Sequence, residues 1–189
     1  MNTALIEKIR KLAGPLRSAT FAAAAEFVLQ ATRPVTIVET GCYRGAACDG
    51  QSTLILALLA KETGGKFLSH ELHFHNVTKA SELLHQGALQ EFATFVTGDS
   101  AATLAFAPPN ITLAYLDSWD FEADKWVEAQ SHQLAEVGRL LPKMAPQSGF
   151  LLDDCDLPKN GKAGLSVPAI LRCGFQPRQA AYQRFFVRQ

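Results

Sequence analysis

The run Val35–Gly45, VTIVETGCYRG, restricts the fold more than any other stretch of the chain. It is apolar and β-branched, ends in Glu39, and then breaks at Gly41. A strand buried on both faces of a parallel sheet reads as such a continuous apolar run. A glycine placed directly after it allows a sharp turn and a close backbone approach to a ligand. A second strand, Lys66–Glu71, delivers another carboxylate, Glu71, to the same edge. Two acidic strand tips side by side point to a nucleoside ligand with a cationic part and ribose hydroxyls.

From Val35 onward the periodicity predicts strand 35–39, helix 52–62, strand 66–71, helix 76–86, strand 92–97, helix 100–106, strand 111–117, helix 123–140, strand 149–153 and helix 163–172. Alternation of this kind implies a mostly parallel, doubly wound Rossmann-like sheet covered on both faces. Segments 175–181 and 184–188 lie too close for a parallel crossover, so they form an antiparallel hairpin at the edge. Ahead of the sheet, Leu5, Ile6, Ile9 and Leu12 predict a helix over 2–12, and an alanine-rich helix spans 18–31 with Ser18 as its cap. The 189 residues are read as one domain, with helices over 1–34 and a ligand-binding core over 35–189.

Lys plus Arg and Asp plus Glu both number 18, a zero balance that argues against a nucleic-acid partner. Nothing resembles a signal peptide or a membrane span, so a soluble cytoplasmic protein is expected. Cys42, Cys48, Cys155 and Cys173 have neither redox nor zinc spacing and are read as free thiols. The amphipathic N-terminal helix is a surface on which a second copy would pack.

The remaining strand ends are also acidic: Asp99, Asp117 and the pair Asp153–Asp154. Ligands of open α/β sheets bind beyond the carboxyl ends of the strands. Taken with the pattern Glu39–Thr40–Gly41–Cys42–Tyr43–Arg44–Gly45, the chain resembles the class I S-adenosylmethionine-dependent methyltransferases from Val35 to its end. The resemblance implies cofactor contacts at Gly41 and Gly45, ribose binding by Glu71, and an adenine-side role for Asp99. Glu39, Tyr43, Ser52 and Asp117 complete the expected cofactor set, Tyr43 near the sulfonium and Ser52 or Thr53 as a helix cap. The loop 46–50 makes this turn longer than the family pattern.

Within that superfamily the chain looks most like macrocin-type O-methyltransferases, which implies a magnesium ion held by Asp117, Asp153 and Asp154. Crowded carboxylates need a cation or protons between them, and oxygen-only donors suit magnesium. Alternatively Asp153 and Asp154, as neighbours on a strand, point to opposite sides. Asp120 and Asp156 are near enough in sequence to replace one ligand. Asp117 and Asp153 are the expected catalytic residues for methylation of a small hydroxylated acceptor. A nicotinamide-dependent oxidoreductase and a non-catalytic S-adenosylmethionine-binding module are the rival readings; the first lacks G-x-G-x-x-G.

His70, His73 and His75 are read as surface or adenine-side residues, and His132 as a helix-face residue. Trp119, Phe121 and Trp126 are read as packing, with Trp119 a possible wall of the acceptor pocket. Lys159–Gly164 reads as a simple turn into the following helix, the alternatives being a mobile lid or a contact to an anionic acceptor group.

Overall fold

A computed structural model describes residues 2–45 and 51–189; Cys48 and the rest of the 46–50 insertion lie outside the described residues. Its centre is a seven-stranded sheet in the order β3-β2-β1-β4-β5-β7-β6. The strands are β1 (Thr36–Thr40), β2 (Lys66–Glu71), β3 (Ala93–Thr97), β4 (Ile111–Leu116), β5 (Met144–Leu152), β6 (Gln176–Ala180) and β7 (Arg184–Arg188). β1 through β5 are parallel, and β7 runs antiparallel to both β5 and β6. The expected doubly wound sheet with a C-terminal edge hairpin is therefore the fold.

Side chains alternate across the central strands, and both faces are covered. Ile37, Leu113, Tyr115, Leu151 and Phe185 face one core, shared with helices α1 (Thr3–Gln30) and α2 (Ser52–Thr63) and with Leu84 of α3 (Phe74–Gln86). Val38, Ala114, Leu116, Phe150, Leu152 and Phe186 face the other. Leu104, Val137 and Ile170 close that side; they follow α4 (Ser100–Thr103) or belong to α5 (Trp126–Leu140) and α6 (Ser166–Arg172). Alternation with period 2 makes each strand supply both cores at once.

Three differences from the sequence expectation have physical causes. The two N-terminal helices form one element interrupted at Gly14 (φ 70, ψ 173), with Pro15 starting the second part rather than Ser18. Proline fits a first helical turn, where its missing N–H is not needed. β5 begins at Met144, before the expected start, because the β4–β5 register shifts between Ile111 and Leu113 and leaves Pro146 in an irregular stretch. α5 begins at Trp126, after a turn in which Lys125 Nζ pairs with Glu122 at 2.7 Å. Among the described residues no helix is long and apolar enough to cross a membrane.

Candidate functional site

The parallel registers align the strand ends: Thr40 is opposite both His70 and Leu116, and Leu116 is opposite Leu152. The ladder continues one residue further through Gly41 N–H to His70 O (2.9 Å), Asp117 N–H to Thr40 O (3.0 Å) and Asp153 N–H to Leu116 O (3.1 Å). Gly41, Asp117 and Asp153 thus stand in one row at the carboxyl edge. β1 and β4 are neighbours whose connections leave in opposite directions, which opens a crevice between them.

Gly41 is needed there. It has φ +76, and a Cβ on it would lie 2.4 Å from Asp117 O. A cleft of about 390 Å³ opens beside it, lined by Gly41, Cys42, His70, Glu71, Asp99, Ser100, Asp117, Ser118, Trp119 and His132 among others. That volume is in the range of small-molecule sites.

Glu71 is held in place by three N–H groups. Its Oε1 accepts from His73 N–H (2.8 Å) and Asn76 Nδ2 (3.1 Å), and its Oε2 from Cys42 N–H (3.1 Å). A carboxylate offers about four lone-pair sites, so one acceptor position remains for a ligand hydroxyl. Asp99 caps α4 by accepting from Ala101 N–H at 2.9 Å and stays exposed at the cleft wall.

Glu39 is elsewhere. It has no exposed surface and does not line the cleft; it accepts hydroxyl bonds from Ser52 (2.7 Å), Thr53 (2.9 Å) and Ser69 (2.7 Å). Burial outweighs those bonds and pushes its carboxyl up to about 7. It acts as a clamp joining β1, β2 and the start of α2, and Ser52 belongs to that clamp. Tyr43 and Gly45 face a separate depression of about 210 Å³ against α3, with Lys79 and Glu82.

Asp117, Asp153 and Asp154 do converge, their ligand atoms all within 4.8 Å of one another. Simple strand alternation would separate the last two. It fails because Asp154 has φ 53, a left-handed turn that brings its carboxylate back beside Asp153. Asp120 and Asp156 are exposed and stay outside the cluster. Asp120 instead pairs with Arg44 at 2.8 Å, where both reach the cleft mouth.

Two side-chain cations already occupy the cluster. Arg17, brought in by α1, places Nε 3.1 Å from each Asp153 oxygen and Nη2 2.7 Å from Oδ2. Lys162, 1% exposed, places Nζ 2.7 Å from Asp117 Oδ1 and 2.9 Å from Asp154 Oδ2. Tyr115 donates to Asp117 Oδ2 at 3.0 Å, and the Tyr182 hydroxyl donates to Asp154 Oδ1.

Burial works to raise the Asp117 carboxyl, but Lys162 above all, with Asp153 and Arg17, outweighs it and holds the group below the ordinary value. Burial first, and the Asp117 charge second, push Asp153 up against the pull of Arg17. Asp153 has no exposed surface and is not at the cleft wall, so a direct catalytic contact does not fit its position. A magnesium ion does not fit the cluster as folded either. Magnesium demands near-octahedral oxygen ligands at about 2.1 Å, whereas Arg17 engages both Asp153 oxygens and Lys162 stands between Asp117 and Asp154.

Other residues gain a place that spacing did not give them. His132 lines the cleft, with Nε2 3.0 Å from Ser100 Oγ and 3.4 Å from Glu136 Oε1; its pKa is raised, chiefly by Glu136. Ser100 and Ser118 each bond Glu136 Oε1 at 2.5 Å. The i, i+4 spacing of His132 and Glu136 was the signal available for this pair. Trp119 lines the cleft with φ 61, its ring 5.3 Å from that of His132. His70 is buried, with Nδ1 2.9 Å from Thr103 Oγ1, and burial lowers its pKa to about 4. His73 and His75 are exposed and stack on each other at 5.4 Å. Cys42, Cys155 and Cys173 are free thiols; burial pushes Cys155 up to about 12.

No protein-family model matches the chain, and no curated protein sequence does. Solved structures do. The O-methyltransferase NovP is 15% identical, with TM-score 0.67 over 97% of this chain and 79% of its own. An S-adenosylhomocysteine-bound methyltransferase from Podospora anserina is 14% identical, with TM-score 0.66 over 98% and 86%. An S-adenosylmethionine-dependent O-methyltransferase from Thermotoga maritima is 16% identical, with TM-score 0.62 over 97% and 71%. With these proteins the chain shares the Rossmann-like methyltransferase fold.

Proposed function

We propose that the chain is an S-adenosylmethionine-dependent methyltransferase that acts on an oxygen of a small hydroxylated acceptor. The observation that carries this reading is the convergence of Gly41, Glu71, Asp99 and Asp117 on one cleft at the switch point of the sheet. The residues suit the cofactor: Glu71 retains an acceptor position for a ribose hydroxyl, and Gly41, where a Cβ would meet Asp117 O, lets the end of β1 pack closely beside Asp117 at the cleft wall. Asp99 would stand at the adenine end. When bound, the cofactor supplies an electrophilic methyl group on a positively charged sulfur.

Catalysis of that transfer is mainly alignment, for which near-attack positioning contributes about 7–11 kcal/mol in favourable intramolecular models. Asp117 is a carboxylate at the cleft wall able to hold an acceptor hydroxyl, and Lys162 and Tyr115 fix it. Trp119 and the Arg44–Asp120 pair border the open side of the cleft. The O-methyltransferases among the structural neighbours support oxygen as the acceptor atom. The zero formal charge supports a small acceptor over a nucleic acid.

Transfer of a tritiated methyl group from S-adenosylmethionine to a panel of sugars, catechols and other hydroxylated small molecules tests the reading. Incorporation into at least one acceptor is expected, falling at least about tenfold in Asp117→Asn. Tight S-adenosylhomocysteine binding without incorporation across the panel would favour a non-catalytic cofactor-binding module, and preferential binding of NADH would favour the oxidoreductase.

A further inference from the structure

We propose that the Lys162 ammonium is the built-in cation of the Asp117–Asp153–Asp154 cluster, standing where a divalent ion would otherwise bind, so that Asp117 is positioned without a metal. Lysine is almost never fully buried unless paired. Here the ammonium donates to Asp117 Oδ1 at 2.7 Å and to Ser118 O at 3.5 Å, and pairs with Asp154 Oδ2 at 2.9 Å. With Arg17 taking both oxygens of Asp153, the three carboxylates face two fixed positive charges.

The backbone that delivers this lysine is specialised. Lys159, Asn160 and Gly161 have φ 62, 66 and 55 in succession, and Asp154 has φ 53. Gln130 Nε2 ties the loop down through Lys159 O and Gly161 O, both at 2.9 Å. Lys162 N–H bonds Asp154 O at 3.1 Å, and a Cβ on Gly161 would lie 1.6 Å from that same oxygen. Residues in left-handed backbone persist where their surroundings over-determine them. A solvated turn or lid needs none of these contacts; a loop that must drive a lysine beneath the cleft floor needs all of them. Lys162 is not a wall of the cleft, so its part is to position Asp117 rather than to touch substrate.

The task of Asp117 rests on the methyltransferase reading, but the identity of the cation does not. The test is Mn²⁺ titration followed by electron paramagnetic resonance, with thermal denaturation in parallel, on the intact chain. The wild type is expected to leave the free-ion signal and its Tm unchanged by Mn²⁺, and any turnover to persist in chelator. Lys162→Met is expected to bind a single Mn²⁺ and gain thermal stability from it, an effect absent in Lys162→Met/Asp154→Asn. A merely structural lysine would produce no such gain, so a folded Lys162→Met that ignores Mn²⁺ overturns the proposal.

If Lys162→Met does not fold, the wild type decides alone. Saturable binding of one ion that is lost in Asp154→Asn, or turnover abolished by chelator and restored by Mg²⁺, overturns the built-in cation; no binding together with chelator-resistant S-adenosylhomocysteine affinity supports it. Calorimetry of S-adenosylhomocysteine on the same samples separates failure of this proposal from failure of the cofactor reading.

Discussion

Glu39 sits at the end of β1 with no exposed surface, and three hydroxyls from two other elements point at it. Burial lifts its carboxyl from 4.5 to about 7, so the native state holds a proton that the unfolded chain has already released. The stability this contributes is fully present below the unfolded value and is lost as pH rises through the folded one. Unfolding free energy is therefore expected to fall between about pH 4.5 and 7, by up to about 3 kcal/mol. Glu39→Gln should remove that part of the slope and leave the part that the raised Asp153 carboxyl adds over the same range, as read by urea denaturation at several pH values. A variant that keeps the slope would assign it to another group. Position in sequence placed Glu39 and Glu71 at neighbouring strand tips, and that placement was legible. Which tip opens to the cleft was not, because it depends on Ser52, Thr53 and Ser69 closing over Glu39 while Cys42 and Asn76 leave one Glu71 acceptor position open.

The loop after β5 is the element that most alters the chemistry. A lysine–glycine turn is written plainly in Lys159–Gly164, but four left-handed residues, one of them Asp154, turn it inward. Gly161→Ala would combine a φ of +55 with a Cβ 1.6 Å from Asp154 O. It should destabilise the protein by at least about 2 kcal/mol and lower Tm in a thermal melt. Gly164 is confined less severely, its Cβ position 2.4 Å from Gln130 Nε2, a side-chain end rather than backbone. An unchanged Tm in Gly161→Ala would mean that the loop takes another course. The family resemblance implied that Asp117, Asp153 and Asp154 converge, and carboxylates so crowded need a cation or protons between them. The identity of that cation was hidden, because Lys162 lies 45 residues from Asp117 and Arg17 lies 136 residues from Asp153.

Across the whole molecule, Arg17 fastens the N-terminal helix to the carboxyl edge of the sheet. Its guanidinium binds Asp153 and lies 4.8 Å from the Tyr182 ring, while Thr20 bonds Gln183 at 2.5 Å beside it. Breaking a buried ion pair on one side leaves an uncompensated charge, so Arg17→Met should cost about 3–5 kcal/mol in chemical denaturation. Adding Asp153→Leu should return part of that loss, since apolar replacement of both partners removes the stranded carboxylate. If the double variant is as unstable as the single, packing rather than charge explains the cost. The sheet itself was readable from strand–helix alternation because each strand serves two cores, and the edge hairpin from its short connection. The two parts of α1 were readable as two separate helices, but not as a supplier of charge to the site.

The cleft is the centre of the account, and calorimetry of S-adenosylhomocysteine against the wild type and Glu71→Gln, both in chelator, tests it most directly. One ligand per chain is expected for the wild type, with affinity lowered about 10- to 100-fold by Glu71→Gln, as befits one hydrogen bond to a charged group. Absence of heat and of any stabilisation by the ligand in the wild type, or equal affinity in the two proteins, would contradict a nucleoside site built on Glu71.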